Sequence, residues 1–399
     1  MRRAGARSPL VLVLALVAAA LAACGNTVTP PPTALRVPAS SDTVPLGTTF
    51  ATATGVVAVV AMGKLRDPQN TFWQLFVRPN ASATWTLATP PGVADNGGLV
   101  VDPGPLTGAE MLAGVEPSRD LVFSPLARSL DGGVSWLQSP GLVPGGLAPV
   151  PDALVDDSAP ETVALVRAGG GEVLRGTGNL SHWSKLVGHA ELASSAAGRS
   201  CGVGALTAVA LDATRGALVG TACASPGVVG IIASAGGRWA LIGPRLSGRA
   251  VTAPTKVLRL VAGDGVVSGL VAVGKTSMTS LVGVASISGG AWSRSAPLAI
   301  EPGSRIVSTG VESGGGFVVL LSPPHGSAGL YMETGPGGDW HSLPSPPSGT
   351  ATVAVGTGGE VDALAVASAR LTEWRLDQAA GTWTKIGTVN VPIQFGSSS

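Results

Sequence analysis

Eight residues, Ser129-Leu130-Asp131-Gly132-Gly133-Val134-Ser135-Trp136, decide the fold prediction for this chain of 399 residues. In such a stretch the carboxylate of Asp131 can accept hydrogen bonds from turn amides, and Gly133 can take backbone angles that other residues avoid. Trp136 follows the turn and offers a large apolar surface that can pack over a hairpin. The stretch therefore predicts a tight turn between two antiparallel strands.

The tryptophan of this stretch belongs to a regularly spaced series. Seven of the nine tryptophans recur at intervals of 43 to 56 residues, and most follow a glycine-containing turn. The members of the series are Trp85, Trp136, Trp183, Trp239, Trp292, Trp340 and Trp383. Apolar runs of strand length precede them, at 56–61, 162–166, 217–223, 316–321 and 361–367. Helical periodicity is absent beyond the first residues, so the pattern predicts a repeated all-β unit of roughly 50 residues.

The turn before Trp136 resembles the Asp-box, Ser-x-Asp-x-Gly-x-x-Trp, of sialidase-type and related BNR-like β-propellers. It matches at every defined position, with Ser129, Asp131, Gly133 and Trp136. The resemblance implies that the box joins the third and fourth strands of a blade, and that it is structural and faces away from a ligand. The other copies lack the Asp or the Ser, so the resemblance concerns architecture rather than a named family. Similar degenerate repeats occur in photosystem assembly-factor propellers.

The period and the resemblance together predict one seven-bladed β-propeller of four-stranded antiparallel blades over residues 47–399. A second domain would need a break in the period, and none is present in the sequence. Residues 388–395 lie beyond the last tryptophan strand. We expect them to close the ring by pairing in the first blade, because closure removes exposed strand edges.

The amino terminus has the order of an export signal. Arg2, Arg3 and Arg7 precede an apolar run at 9–20. This run is shorter than the roughly 20 residues that a membrane-spanning helix needs, so a spanning helix is the weaker alternative.

The next residues, Leu21-Ala22-Ala23-Cys24, resemble the lipobox of bacterial lipoproteins. The resemblance implies a signal peptide at 1–23, acylation of the Cys24 thiol and an extracytoplasmic protein anchored to the bacterial cell membrane. The alternative is an ordinary secretory signal with a coincidental cysteine. Residues 24–46 are rich in Pro, Thr and Ser, a composition that predicts a flexible tether.

The two remaining cysteines, Cys201 and Cys223, are predicted to form a disulfide because the chain is exported. In the blade prediction, Cys201 opens an innermost strand and Cys223 ends the neighbouring antiparallel strand, so that both lie at the same end. Two buried free thiols are the alternative, since the sequence does not show pairing.

Charge and motif content exclude several functions. Lys plus Arg number 25 against 24 for Asp plus Glu, and loss of the signal peptide leaves a mildly acidic chain that has no electrostatic basis for binding nucleic acid. The four histidines show no metal-ligand spacing, and we predict neither metal nor cofactor. Residues 269–276 match the phosphate-loop pattern, but their middle is an apolar strand. Residues 198–202 match a nucleophile elbow around Ser200, although no strand-to-helix turn is predicted there.

The favoured function is a lipid-anchored, non-catalytic propeller that binds a protein or glycan at the cell envelope. The alternative is a sialidase-like glycoside hydrolase, because Leu35-Arg36-Val37-Pro38 faintly resembles the Arg-Ile-Pro signature of that family. The resemblance implies a tyrosine nucleophile, but the single tyrosine, Tyr331, is predicted on an outer strand. We expect the partner on the face opposite the Asp-box turns, where the long inter-blade loops 139–152 and 187–201 lie.

Overall fold

In the computed structural model, all described residues belong to one compact body, which spans Ser40–Ser399. Residues 1–46, with the predicted signal peptide, Cys24 and the tether, therefore lie outside the described part, as do most of loop 139–152 and residues 391–395. The described residues are 47–51, 55–63, 71–80, 82, 84–89, 99–102, 111–115, 126–138, 147, 152–156, 162–167, 170–177, 180–248, 252–263, 265–275, 277–287, 290–312, 314–356, 358–367 and 370–390.

The described chain is all-β, and its strands follow one another in runs of four that pair antiparallel with their neighbours. We call these runs units 1 to 7. Unit 1 comprises β1 (Gly47–Ala51), β2 (Gly55–Gly63), β3 (Thr71–Pro79) and β4 (Thr86–Leu87). Unit 2 comprises β5 (Leu99–Asp102), β6 (Met111–Val115), β7 (Leu126–Ser129) and β8 (Leu137–Gln138). Unit 3 comprises β9 (Ala153–Asp156), β10 (Thr162–Val166), β11 (Glu172–Thr177) and β12 (His182–Gly188).

The remaining units repeat this plan. Unit 4 comprises β13 (Val203–Asp212), β14 (Gly216–Cys223), β15 (Ile231–Ala235) and β16 (Arg238–Leu241). Unit 5 comprises β17 (Thr255–Gly263), β18 (Val266–Val273), β19 (Ser280–Ile287) and β20 (Trp292–Arg294), followed by the short β21 (Leu298–Ala299). Unit 6 comprises β22 (Arg305–Val311), β23 (Phe317–Ser322), β24 (Gly329–Glu333) and β25 (Trp340–Leu343). Unit 7 comprises β26 (Thr350–Val355), β27 (Val361–Ala367), β28 (Arg370–Asp377) and β29 (Thr382–Asn390).

A few bonds between units merge them into larger sheets. Strand β1 pairs in parallel with β22 over two residues, and β14 pairs with β17 over two residues. With these pairings the described strands form sheets of eight, four, nine, four and four strands.

The core lies between consecutive units. Second strands such as β10, which is buried at all five positions, are continuous apolar runs because each sheet is covered on both faces. The hydrophobic clusters join unit 1 to 2, 2 to 3, 3 to 4, 4 to 5, 5 to 6 and 6 to 7. One further cluster packs Val60 and Phe76 of unit 1 against Leu364 and Leu371 of unit 7. The last unit therefore packs on the first.

Two local predictions were wrong. Loop 187–201 contains two short helices, α1 (His189–Ser194) and α2 (Ala196–Cys201), although no helix was expected there. Residues 388–390 do not pair in the first unit, since they continue β29 and pair with β28, as Thr388 does with Thr372. The first strand of unit 1 is supplied instead by β1.

Candidate functional site

Each unit has two distinct ends, and each candidate residue can be assigned to one end or the other. The turns between first and second strands and between third and fourth strands lie at one end, which we call the box end because it carries residues 129–136. The turns between second and third strands and the links between units lie at the other, which we call the connection end. This division follows from the antiparallel order of the strands within every unit.

The Asp-box turn at the box end of unit 2 is held by its two polar side chains. Oδ1 of Asp131 accepts a hydrogen bond from the Ser135 amide at 2.8 Å, and Oγ of Ser129 accepts one from the Gly133 amide at 2.8 Å. Hydrogen bonds from the hydroxyl and the amide of Ser135, and a weaker contribution from the Ser129 hydroxyl, lower the pKa of Asp131. Gly133 has a φ of 87°, as the sequence predicted, and a Cβ there would also overlap the side chains of Met111 and Val77.

The tryptophan series marks the fourth strands. All seven members lie within a fourth strand or immediately before it, and each belongs to the cluster shared with the preceding unit. Nε1 of Trp136 donates to the Ala88 carbonyl of unit 1 at 2.7 Å, and Nε1 of Trp340 donates to Ser295 Oγ, beyond unit 5's fourth strand, at 2.9 Å. The indole therefore contacts the preceding unit, whereas the sequence predicted that it would pack only over its own hairpin.

A buried charge network that the sequence analysis missed lies between units 1 and 7. Arg78 Nε lies 3.0 Å from Glu373 Oε1, and Arg78 Nη2 lies 3.2 Å from Asp362 Oδ2. Arg375 donates to both oxygens of Asp362, at 2.8 and 2.9 Å. Nε1 of Trp85 donates to Glu373 Oε2 at 2.5 Å, and the guanidinium of Arg78 stands 5.5 Å from the Trp85 ring centroid.

The charges in this network offset one another. Burial raises the pKa of Glu373, and the nearby Arg78 lowers it less than burial raises it. The hydrogen bonds that Arg375 donates to Asp362 raise the pKa of Arg375, so this guanidinium stays charged. Removing one member of such a network leaves another charge buried without its partner, which is strongly destabilising. We therefore conclude that the network stabilises the contact between the first and last units.

Glu333, on the third strand of unit 6, is a further buried ionisable side chain that the sequence analysis missed. The Phe317 amide donates to Oε2 at 3.0 Å, whereas Oε1 has no hydrogen-bond partner in the described part of the chain. Oε1 occupies the space that a Cβ on Gly283 of unit 5 would fill. Burial, and to a lesser extent the charge of Glu312, raises the pKa of Glu333 to about 8, although the hydrogen bond from the Phe317 amide acts to lower it. This carboxyl is therefore protonated at neutral pH.

A shared position in the repeat could have revealed Arg78 and Glu333 from the sequence. Ser129 stands seven residues before Trp136, and Arg78 and Glu333 stand at the same distance before Trp85 and Trp340. All three side chains are buried at the box end of a third strand.

At the connection end, Cys201 and Cys223 form the predicted disulfide, with their Cα atoms 5.0 Å apart. Cys201 ends α2 instead of opening β13, which begins at Val203, and Cys223 ends β14 as expected. The Cys201 carbonyl accepts from the Ser225 amide at 2.9 Å, which ties the helix to the turn after β14. The disulfide thus fixes the link between units 3 and 4 to the sheet.

The proposed binding loop 139–152 is described only at Leu147 and Asp152. Leu147 is buried between units 2 and 3, and Asp152 forms an ion pair with Arg167 at 3.1 Å. Both residues therefore support the scaffold. Replacing the whole loop would remove a core side chain, so an experiment on binding must be confined to residues 139–146.

The structure separates the side chains that the sialidase-like alternative would bring together. Tyr331 lies on β24, the third strand of unit 6, and packs between units 5 and 6, whereas the arginine and carboxylate cluster lies between units 7 and 1. Ser200 is on α2 and donates to the Ala196 carbonyl at 3.0 Å, in a helical turn rather than the predicted loop. Residues 269–273, which begin the phosphate-loop match, lie within strand β18.

Neither a metal-binding cluster nor a membrane-spanning helix is found among the described residues. No group of three or more His, Cys, Asp or Glu side chains in this part of the chain is placed to hold a metal ion. Among the same residues, no helix has the length and apolar character required to cross a membrane.

These features define an all-β protein of repeated antiparallel sheets with a disulfide at one end. No family model matches the chain, and no curated protein matches it. Among solved structures it is similar to the β-propeller domain of the Trilobed protease from Pyrococcus furiosus, with 8% identity, coverage of 85% of this chain and 96% of that chain, and a TM-score of 0.47.

Two further neighbours show comparable values. YCF48 from Cyanidioschyzon merolae has 14% identity and a TM-score of 0.41, over 87% of this chain and 99% of that chain. A protein from Lactobacillus plantarum has 11% identity and a TM-score of 0.46, over 85% of this chain and 97% of that chain.

Proposed function

We propose that this chain is a lipid-anchored, non-catalytic, seven-bladed β-propeller that binds a protein or a glycan at the bacterial cell envelope. In this proposal units 1 to 7 are the blades. The strand order supports it, because each unit pairs only short stretches with other units while its faces pack on both neighbours. The cluster and the charge network between units 1 and 7 are the contacts that would close the ring.

The observation that carries the binding role is the construction of the connection end. The link between units 3 and 4 forms two helices, one of which is fixed to β14 by the disulfide. Several turns at the box end are held by their own side chains, such as those of Asp131, Asp212 and Asp377. Binding groups commonly lie on elaborated loops that a rigid scaffold positions. We therefore place the partner at the connection end.

Lipid anchoring rests on the stretch Leu21-Ala22-Ala23-Cys24. Several acyl chains on Cys24 would give stable anchoring, at about 0.8 kcal/mol per buried methylene. Replacing Cys24 with Ser should move the protein from the membrane fraction to the soluble envelope fraction. A Cys24→Ser protein that stays with membranes after a salt wash would show that this cysteine is not the anchor.

The binding role is tested with a variant that replaces residues 139–146 by a short Gly-Ser turn and keeps Leu147 and Asp152. A printed glycan array and photo-crosslinking in intact cells supply the glycan and protein probes. The control lengthens the turn at Gly236 and Gly237 of the box end, where added atoms meet nothing within 4 Å. We expect the first variant to lose binding and the control to keep it. The reverse result would place the partner at the box end, and turnover of a fluorogenic sialoside would favour the hydrolase.

A further inference from the structure

The connection end of units 4 to 6 carries an excess of exposed positive charge. Its exposed cations are Arg199 on α2, Arg245, Lys275, Arg294 and Arg305. The described links at this end, residues 224–230, 242–248, 252–254, 274–275, 277–279 and 295–304, contain one acidic side chain, the exposed Glu301. Glu191 on α1 lies 3.8 Å from Lys185, so its charge is offset locally. We call the five cations the basic patch.

Backbone hydrogen bonds join the segments that carry the basic patch. The Ala224 amide donates to the Gly202 carbonyl beside α2, and Val228 forms a β-bridge with Arg245. The Gly274 amide donates to the Pro254 carbonyl, which brings the turn with Lys275 against the link between units 4 and 5.

Hydrogen bonds also join the segments that carry the other two cations, Arg294 and Arg305. Arg294 donates from Nη1 to the Arg245 carbonyl at 2.9 Å. The Ile300 amide donates to the Thr279 carbonyl, so the link that ends at Arg305 is tied to the turn after β18. The patch is therefore one continuous surface rather than five scattered charges.

The chain enters unit 1 from this same end. Strand β1 runs parallel to β22, with Gly47 beside Ser308, and β22 starts at Arg305 in the basic patch. Ala51 pairs with Val56 at the box end, so Gly47 points back towards the connection end. A tether that leads from Gly47 to Cys24 thus leaves the scaffold at the end that carries the patch.

From these placements we infer that the basic patch docks on an anionic phospholipid surface, the membrane in which the Cys24 lipid is anchored. This inference rests on the proposed lipid anchor. Lys and Arg side chains near an anionic surface each strengthen association about fivefold, and the attraction acts within a Debye length of about 10 Å at 0.1 M salt. The anchor holds the chain at the membrane, and the patch determines which end faces it.

The test uses the full chain with Cys24→Ser, isolated from the soluble envelope fraction, so that no lipid contributes. Its co-sedimentation is measured with vesicles of pure phosphatidylcholine and with vesicles that contain phosphatidylglycerol, at low and high salt. We expect binding to the anionic vesicles alone, and its loss at high salt. The variant Arg245→Gln with Lys275→Gln should bind about 25-fold more weakly. The matched control, Arg238→Gln with Lys385→Gln, removes two exposed cations elsewhere and should bind as the parent does.

Several results would overturn the docking inference. One is equal association with neutral and anionic vesicles, and another is no association with either. A third is an equal loss of binding in the two double variants. Loss of binding on Val134→Ser, at an apolar side chain that is 74% exposed at the box end, would show that the opposite end docks. Fractionation of the unmodified chain tests the anchor separately. A chain that is soluble in cells but binds anionic vesicles through the patch would refute the anchor and leave the charged surface intact.

Discussion

Arg78 and Glu333 occupy the position that Ser129 holds in the complete Asp-box, yet each meets a different environment. Oγ of Ser129 bonds within its own turn, whereas Arg78 reaches two carboxylates of unit 7. Glu333 lies against Gly283 of unit 5, where no cation of the described residues pairs with it. A buried carboxyl without a cation stays neutral by holding its proton, which is what its raised pKa expresses.

Glu333 makes the stability of the protein depend on pH. Its pKa is about 8 in the folded state and near its ordinary value of 4.5 when unfolded, so the folded state holds the proton more tightly. The stabilisation from this carboxyl is complete below about pH 4.5 and is lost as the pH rises to about 8. Glu333→Gln cannot ionise and still accepts from Phe317. We expect the variant to gain a few kcal/mol over the parent between pH 5 and pH 8.

Urea unfolding at pH 4, 6 and 8 measures this difference. Glu301→Gln serves as the control, because Glu301 is an exposed carboxyl on the link that follows unit 5. A difference between Glu333→Gln and the parent that does not change with pH would show that Glu333 is ionised in the folded protein.

At the scale of the element, the Asp-box turn is constrained from two directions. Its own side chains fix the backbone, and the neighbouring strands leave no room above Gly133. The tryptophan that follows the turn donates to unit 1, so the turn positions a contact between units.

Gly133→Ala separates the two constraints when it is compared with Gly237→Ala. Both glycines have positive φ, 87° and 76°, but a Cβ on Gly237 meets nothing within 4 Å, whereas one on Gly133 overlaps Met111 and Val77. Gly237→Ala should cost about 1 kcal/mol from backbone strain alone. Gly133→Ala should cost roughly 1–3 kcal/mol more, because the core would be overpacked.

Thermal unfolding of the two glycine variants measures these costs. Equal losses in the two variants would show that strain alone constrains Gly133. The variant Gly133→Ala with Met111→Ala would then show no coupling, although we expect the second change to recover part of the loss.

Part of this architecture was predictable from the sequence because it repeats. The spacing of the tryptophans indicated the fourth strands, and apolar runs such as 162–166 indicated the buried second strands. Helices α1 and α2 were not predictable, since each has six residues, too few to show a helical period, and they are held by the disulfide and by packing. The Arg78 network was also hidden, because its partners Asp362 and Glu373 are almost 300 residues away along the chain.

At the scale of the whole molecule, the described contacts form a cyclic series. Each unit shares a hydrophobic cluster with the next, and unit 7 shares one with unit 1. In the described residues no strand of unit 7 pairs with a strand of unit 1, so side-chain contacts join these two units, while β1 also pairs with β22 of unit 6. Trp85 contributes most directly, since it packs in the cluster and donates to Glu373. The seam between the first and last units is thus the point on which the proposed propeller depends.

A crystal structure of the mature chain would show whether the units form a closed ring. We expect seven four-stranded blades, with unit 7 packed on unit 1 and the Trp85 indole within hydrogen-bond distance of Glu373. A structure with six or eight blades, with a separate helical domain, or with units 1 and 7 apart would contradict this expectation.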